Sequence, residues 1–158
     1  MVRWTRQLAA IAIAMLTSQV GIGDISRLGG SGVRVDMTTR SGGVSSGLIG
    51  GADCRVRVNQ RAIVLQWTTS AFHHTELPEI QNDASISATV TGSLGVVQVS
   101  PRHAVARTNI SNRKDEASVA MGIAGNGEVK VDLTVGIDGA QVVEGKHCAT
   151  VVLTITGN

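Results

Sequence analysis

From Val33 onward this chain alternates apolar and polar residues with a period of two. Val33, Val35 and Met37 alternate with Arg34 and Asp36. Cys54, Val56 and Val58 alternate with Arg55, Arg57 and Asn59. Ile63, Leu65 and Trp67 resume the pattern after Asn59–Arg61. Further apolar rows are Ile86, Ala88 and Val90, then Val97 and Val99, then Val119, Met121 and Ile123. The longest row runs Val129, Val131, Leu133, Val135 and Ile137, and Ala149, Val151, Leu153 and Ile155 form the last. Period two places alternate side chains on opposite faces of a strand, so each row turns one face to a core and the other to water. Gly, Asn and Asp punctuate the gaps at Gly42–Gly43, Gly50–Asp53, Gly92–Gly95, Gly125–Gly127 and Asp138–Gly139. No helical periodicity follows residue 23. The pattern predicts an all-β chain of about eight short strands in an antiparallel sandwich. Of 158 residues one is Phe, two are Trp and none is Tyr. The core must therefore be built from Val, Ile, Leu and Ala, and the β-branched members favour strands.

The first residues follow another rule. Arg3 and Arg6 precede an apolar run, Leu8–Leu16, that is too short to span a bilayer as a helix. Small residues follow, with Gly21 and Gly23 placed for cleavage before Asp24. Residues 1–23 read as a secretory signal peptide, residues 24–32 as a flexible leader and residues 33–158 as one β-sandwich domain. Losing residues 1–23 removes two Arg and no acid, which leaves twelve basic residues against twelve acidic ones. A neutral chain without aromatic stacking residues lacks the footprint of nucleic-acid binding. In an exported chain the two cysteines, Cys54 and Cys148, read most simply as one disulfide. Such a bridge would contribute roughly 4–5 kcal/mol through chain entropy.

Nothing in the sequence carries catalytic chemistry. His73 and His74 are adjacent, so on a strand they point to opposite faces and do not share an ion. His103 and His147 are isolated, and no H-x-H, H-E-x-x-H or C-x-x-C occurs. The four read as solvated loop histidines, with no metal and no cofactor expected. No G-x-S-x-G elbow is present. Gly29–Gly32 lacks the Lys-Ser/Thr and the following helix of a phosphate loop. Asn109-Ile110-Ser111 fits a glycosylation sequon, which matters only in a eukaryotic secretory pathway. Trp67 stands in phase with Ile63 and Leu65 and is expected in the core.

The last fourteen residues, G-K-H-C-A-T-V-V-L-T-I-T-G-N, place Gly145 ahead of the row Ala149, Val151, Leu153, Ile155, with Gly157 penultimate and Asn158 last. This segment resembles the closing motif of subunits of chaperone–usher fimbriae. In that motif a Gly is followed two residues on by an aromatic, then by alternating apolar residues up to a penultimate Tyr. His147 and Gly157 stand where those aromatics would be, and Cys148 is out of phase with the row. The resemblance implies an immunoglobulin-like sandwich lacking its last strand, with a groove filled first by a periplasmic chaperone and then by the N-terminal extension of the next subunit. It further implies that Ala149, Val151, Leu153 and Ile155 present the face the chaperone pairs against, and that the Asn158 carboxylate anchors on chaperone basic residues. Val33, Val35 and Met37 would be the donor side chains. Equally, residues 33–37 could be the domain's own first strand, leaving residues 24–29 as donor. The major-shaft subunits bridge their first two strands. A bridge from Cys54 to Cys148 is closer to tip invasins, so shaft and tip subtypes both stay open.

The expected function is therefore a structural and adhesive, non-enzymatic subunit exported through the periplasm to the cell surface. Its partners would be the chaperone, an outer-membrane usher, neighbouring subunits and a host receptor contacted by residues 69–83 or 100–116. A self-contained secreted β-sandwich that binds a ligand or inhibits an enzyme is the alternative. A small exported hydrolase or metalloprotein using His73, His74, His103 or His147 is the third.

Overall fold

A computed structural model of the protein describes residues 22–23, 33–44, 47–138, 143 and 145–157. The stretch expected as a signal peptide, up to residue 21, the expected leader 24–32 and Asn158 lie outside the described residues. The described chain is all-β and antiparallel. Its strands are β1 (Ile22–Gly23), β2 (Val33–Val44), β3 (Gly47–Ser70), β4 (Phe72–His74), β5 (Gln81–Ser100), β6 (His103–Arg107), β7 (Glu116–Asp138), β8 (His147–Cys148) and β9 (Val151–Gly157). They form one sheet in the order β1-β2-β3-β7-β5-β4-β8, with β6 on β5 and β9 on β3.

Three strands are far longer than the alternating rows suggest. Asn59–Arg61, Gly92–Gly95 and Gly125–Gly127, expected as gaps between short strands, lie inside β3, β5 and β7. The reason is that bulges use the same residues as turns. In β3 the register against β7 shifts between Asn59 and Arg61, and Gln60 is the extra residue, at φ 53°. The inward row is even-numbered before it (Ala52, Cys54, Val56, Val58) and odd-numbered after it (Ile63, Leu65, Trp67, Thr69). In β5 the shift falls between Val90 and Gly92. Ala84, Ile86 and Ala88 face the core before it, and Val97 and Val99 pack on the core after it. The middle strand β7 keeps one parity from Ala117 to Val135. One added residue in each neighbour thus keeps the apolar faces of all three strands together.

At this level the sheet creases. Gly125 and Gly127 have φ of 117° and 153°, and a Cβ on Gly127 would run into the Leu94 carbonyl of the paired strand. Only glycine lets the two backbones approach so closely. Connectivity shows which way the crease folds. β3 ends at Ser70 beside Glu116, at one extreme of the sheet. After a single residue, Ala71, the chain enters β4, which pairs with Gln81 and Asn82 near Asp138, at the other extreme. The return is parallel in logic: Cys148 of β8 pairs with β4, and Val151 of β9 pairs with Thr69 of β3. Both ends of the sheet therefore meet, and the curled sheet makes two layers about one core. The lower layer holds β2, β6 and the 47–58, 81–90 and 128–138 halves of the long strands. The upper holds β9 and the 63–70, 96–100 and 116–124 halves. Val56, Ile86 and Leu133 from one layer and Leu65, Trp67, Met121 and Leu153 from the other belong to a single buried cluster. On one side β6 lies against β7 as well as pairing with β5. On the other side β9 has no second neighbour among the described residues, and β1 pairs with β2 only at Met37 and Thr38.

Candidate functional site: the β9 seam and the histidine pair

β9 is the strand the sequence singles out. Its inward residues Val151 and Leu153 are buried, as is Ala149 just before it, while Ile155 is half-buried. The row thus faces the protein's own core. Among the described residues β9 pairs with β3 alone, Val151 to Thr69 through Gly157 to Ile63. Its other edge carries V-V-L-T-I-T-G, with no charge and no proline. Natural edge strands are usually guarded by one or the other, and an unguarded edge is a template for another strand.

Val33, Val35 and Met37 lie in β2, paired with Val58, Val56 and Cys54 of the same chain. Val35 and Met37 are buried there. β2 and β9 occupy the same edge of β3 end to end, on either side of the crease. The large apolar side chains exposed among the described residues are Val64, Leu77, Leu94, Val96, Val105 and Val143, and none belongs to an inward row. The chain covers its own core in this arrangement.

The disulfide reading is corrected: Cys54 and Cys148 are free thiols. Cys54 points into the core from the middle of β3, opposite Val131. Cys148 is on β8, half-exposed, paired with His73 of β4. A bond needs Cα atoms within about 7 Å; Cys54 stands opposite Val131, seven residues along β7 from the Asp138 end beside which β4 and β8 attach, and seven residues at about 3.3 Å exceed that. Burial, and secondarily the nearby Asp36 carboxylate, push the Cys54 thiol up to about 12. The unfolded thiol ionises near 9.0, so above that pH the unfolded state loses a proton that the folded state keeps. Stability should fall between about pH 9 and 12 by up to about 1.4 kcal/mol per unit. Cys54→Val should flatten that slope in urea melts at pH 8, 9 and 10. In the native protein a thiol reagent should titrate Cys148 alone.

The histidines are also rearranged. His73 is exposed and His74 buried, on opposite faces of β4 as their adjacency predicts. His74 and His147, expected as solvated, are instead buried together as an edge-to-face pair with ring centroids 5.0 Å apart. The backbone N–H groups of Glu76 and Leu77 each donate to His74 Nδ1 at 3.1 Å. His147 Nε2 donates to the Val143 carbonyl at 2.8 Å, and its Nδ1 has no partner among the described atoms. Gly145, with φ 140°, sits directly on His74 Nε2, where any Cβ would collide. The glycine of the closing motif thus serves the packing of this pair. Burial of both was readable in phase: His74 is two residues from Phe72, and His147 two before Ala149. His73 stands opposite Cys148 on the outer face. Among the described residues no three His, Cys, Asp or Glu side chains converge to hold a metal ion.

The remaining candidates are structural. His103 Nδ1 pairs with the Thr89 hydroxyl at 2.8 Å on the exposed face. Asn109 caps the short 3-10 turn Ile110–Asn112, its side chain accepting from the Asn112 N–H. Asp83 accepts from the Thr108 hydroxyl and the Ile110 N–H, and Thr108 in turn accepts from the Ala84 N–H. This network ties the 108–115 connection to the start of β5. Of the two segments expected as long loops, 69–83 contains β4 and 100–116 contains β6. The exposed connections that remain are 75–80, 101–102 and 109–115. Comparison of the chain with protein-family profiles, with curated proteins and with solved structures finds no match.

Proposed function

We propose that the protein is an exported structural and adhesive subunit of a bacterial surface fimbria, with an immunoglobulin-like sandwich that assembles by strand addition. The observation that carries this reading is the β9 edge: one neighbour among the described residues, an inward apolar row of Val151, Leu153 and Ile155, and no guarding charge or proline. A donor strand added there would gain main-chain hydrogen bonds, with side-chain contacts to the half-buried Ile155 end of the row. On this reading a periplasmic chaperone and an outer-membrane usher handle the edge before a neighbouring subunit completes it. The exposed connections 75–80 and 109–115 are where a receptor would be met. A second reading, a self-contained secreted binding protein, is favoured by one specific fact. Val35 and Met37 are already buried in cis against β3.

The two readings differ in one experiment. Residues 24–158 are produced in an oxidising compartment, with and without a C-terminal flexible linker carrying a copy of Ile25–Met37. For a fimbrial subunit the extended chain should be the better-behaved monomer and melt about 10 °C higher. Identical melting of two stable monomers would reject strand addition and leave the secreted binder.

A further inference from the structure

His74 and His147 are buried against each other, and their hydrogen bonds fix where each ring carries its proton. Two backbone N–H groups, those of Glu76 and Leu77, point at His74 Nδ1 from 3.1 Å. An N–H can only donate, so Nδ1 presents its lone pair and the ring proton is on Nε2. His147 Nε2 donates to the Val143 carbonyl, which leaves Nδ1 as its bare nitrogen, buried without a partner among the described atoms. Both rings thus sit as the Nε2–H tautomer, edge to face. The elements they fasten are small. β4 has three residues and β8 has two. Among the described residues β8 pairs with β4 alone, Cys148 to His73 and His147 to His74. The connection 75–80 closes on β4 through the His74 N–H, which donates to the Ile80 carbonyl, and through the two bonds to His74 Nδ1.

We propose that this pair is an acid-released latch on the connection 75–80 and β8. A proton added to His74 Nδ1 faces two N–H donors, so both bonds to the connection are lost. A proton added to His147 Nδ1 is buried with no acceptor, beside the other imidazolium. The opened arrangement gives these nitrogens to water and binds more protons than the closed one, so the balance moves toward opening as pH falls. No buried carboxylate among the described residues offsets the charge. Glu76, Glu79 and Lys146 are exposed. The β5 residues against β4 are the uncharged Gln81 and Asn82. Asp83 beyond them is bound to Thr108 and Ile110, and Asp138 to Arg107 at 3.0 Å. His73 and Cys148 stand on the outer face of the same two strands. The opening is local. β9 is held separately, by its own pairing with β3 and by the bonds between Ser70 and Thr150. Phe72, on the inward face of β4 two residues before His74, is the core side chain that opening uncovers. The latch stands apart from the β9 edge and from the fimbrial reading.

Nitrogen NMR and amide hydrogen exchange test it. At about pH 7.5 both rings should give the Nε2–H signature. Between about pH 7.5 and about pH 5, where imidazoles ordinarily take up protons, protection of the Glu76 and Leu77 amides should fall at least about 10-fold, after correction for the intrinsic pH dependence of exchange. The amides that pair β9 with β3 should keep their protection. His74→Asn places an acceptor oxygen near the position of Nδ1, and His147→Phe keeps a ring without a titrating nitrogen. The double variant should hold the Glu76 and Leu77 amides protected down to about pH 5. If it does not fold, each single change should still cut the acid response at least about 3-fold. His73→Asn, on the outer face, should leave the response unchanged. So should Glu144→Gln, at a position outside the described residues. Unchanged protection of Glu76 and Leu77 at about pH 5 overturns the proposal. So does a response that survives both imidazole changes, or one abolished by Glu144→Gln alone. Loss of protection in β9 together with the connection also overturns it, because that is acid unfolding of the whole sandwich.

Discussion

Gly127→Ala is expected to destabilise the protein by about 3–5 kcal/mol, enough to leave much of it unfolded at 37 °C. Two costs combine. The residue is held at φ 153°, where a Cβ is strained, and that Cβ would strike the backbone of Leu94. Backbone cannot move aside as a flexible side chain can, so the paired strands would have to separate where the sheet creases. The loss should be cooperative, because β7 is the middle strand of both layers. Circular dichroism melts would show it as one lowered transition. An alanine at Gly92, where the nearest atom to a new Cβ is 3.9 Å away, should cost less than about 1 kcal/mol. Equal losses at the two positions would mean that the crease is not the sensitive point.

Trp67→Ala should cost a further independent amount, about 3–5 kcal/mol. Trp67 is completely buried, between Val119 of β7 and Leu153 of β9. It is the largest side chain in a core whose other buried residues, Phe72 apart, are mainly aliphatic. Truncation would leave a cavity that Val and Leu neighbours cannot fill by rotamer change. Trp67→Phe should be far milder, at about 1–2 kcal/mol, because the indole Nε1 is buried without a hydrogen-bond partner and its removal relieves a polar burial cost. Denaturant titration of both variants gives the ranking. A Trp67→Phe loss as large as that of Trp67→Ala would show that the indole N–H is satisfied after all.

Much of the layering was legible from parity alone. Val56, Leu65, Trp67, Met121, Leu133 and Leu153 all occupy the inward positions that period two assigns them. What parity could not tell was whether a break in the pattern ends a strand or only bulges it. Asn59-Gln60-Arg61 and Gly125-Asn126-Gly127 carry turn chemistry, but each has a partner across the sheet. Pairing between distant segments is decided by registry, which no local window contains. The disulfide expectation rested on count and compartment and carried no information on distance. The buried histidines are in phase with apolar rows, but histidine is intermediate in its preference for burial, so its identity alone does not say on which side of the surface it lies.

The crease has a consequence for the time course of folding. A sheet bent by bulges has no hairpin at the bend, so the long strands must find partners far along the chain. Ile49 pairs with Gly136, Ser70 with Glu116, and Asp83 with Asp138. The closely spaced pairings are β2 with β3 through Val44 and Gly47, and β5 with β6 through Thr89 and His103. Those two hairpins can close in microseconds. The rest waits for β7, whose docking must absorb the loop-closure entropy of the whole sheet at once. Non-local topologies of this kind fold in milliseconds to seconds. Throughout that interval both flanks of the future central strand stand open, and the nascent chain is at its most exposed to pairing with its neighbours.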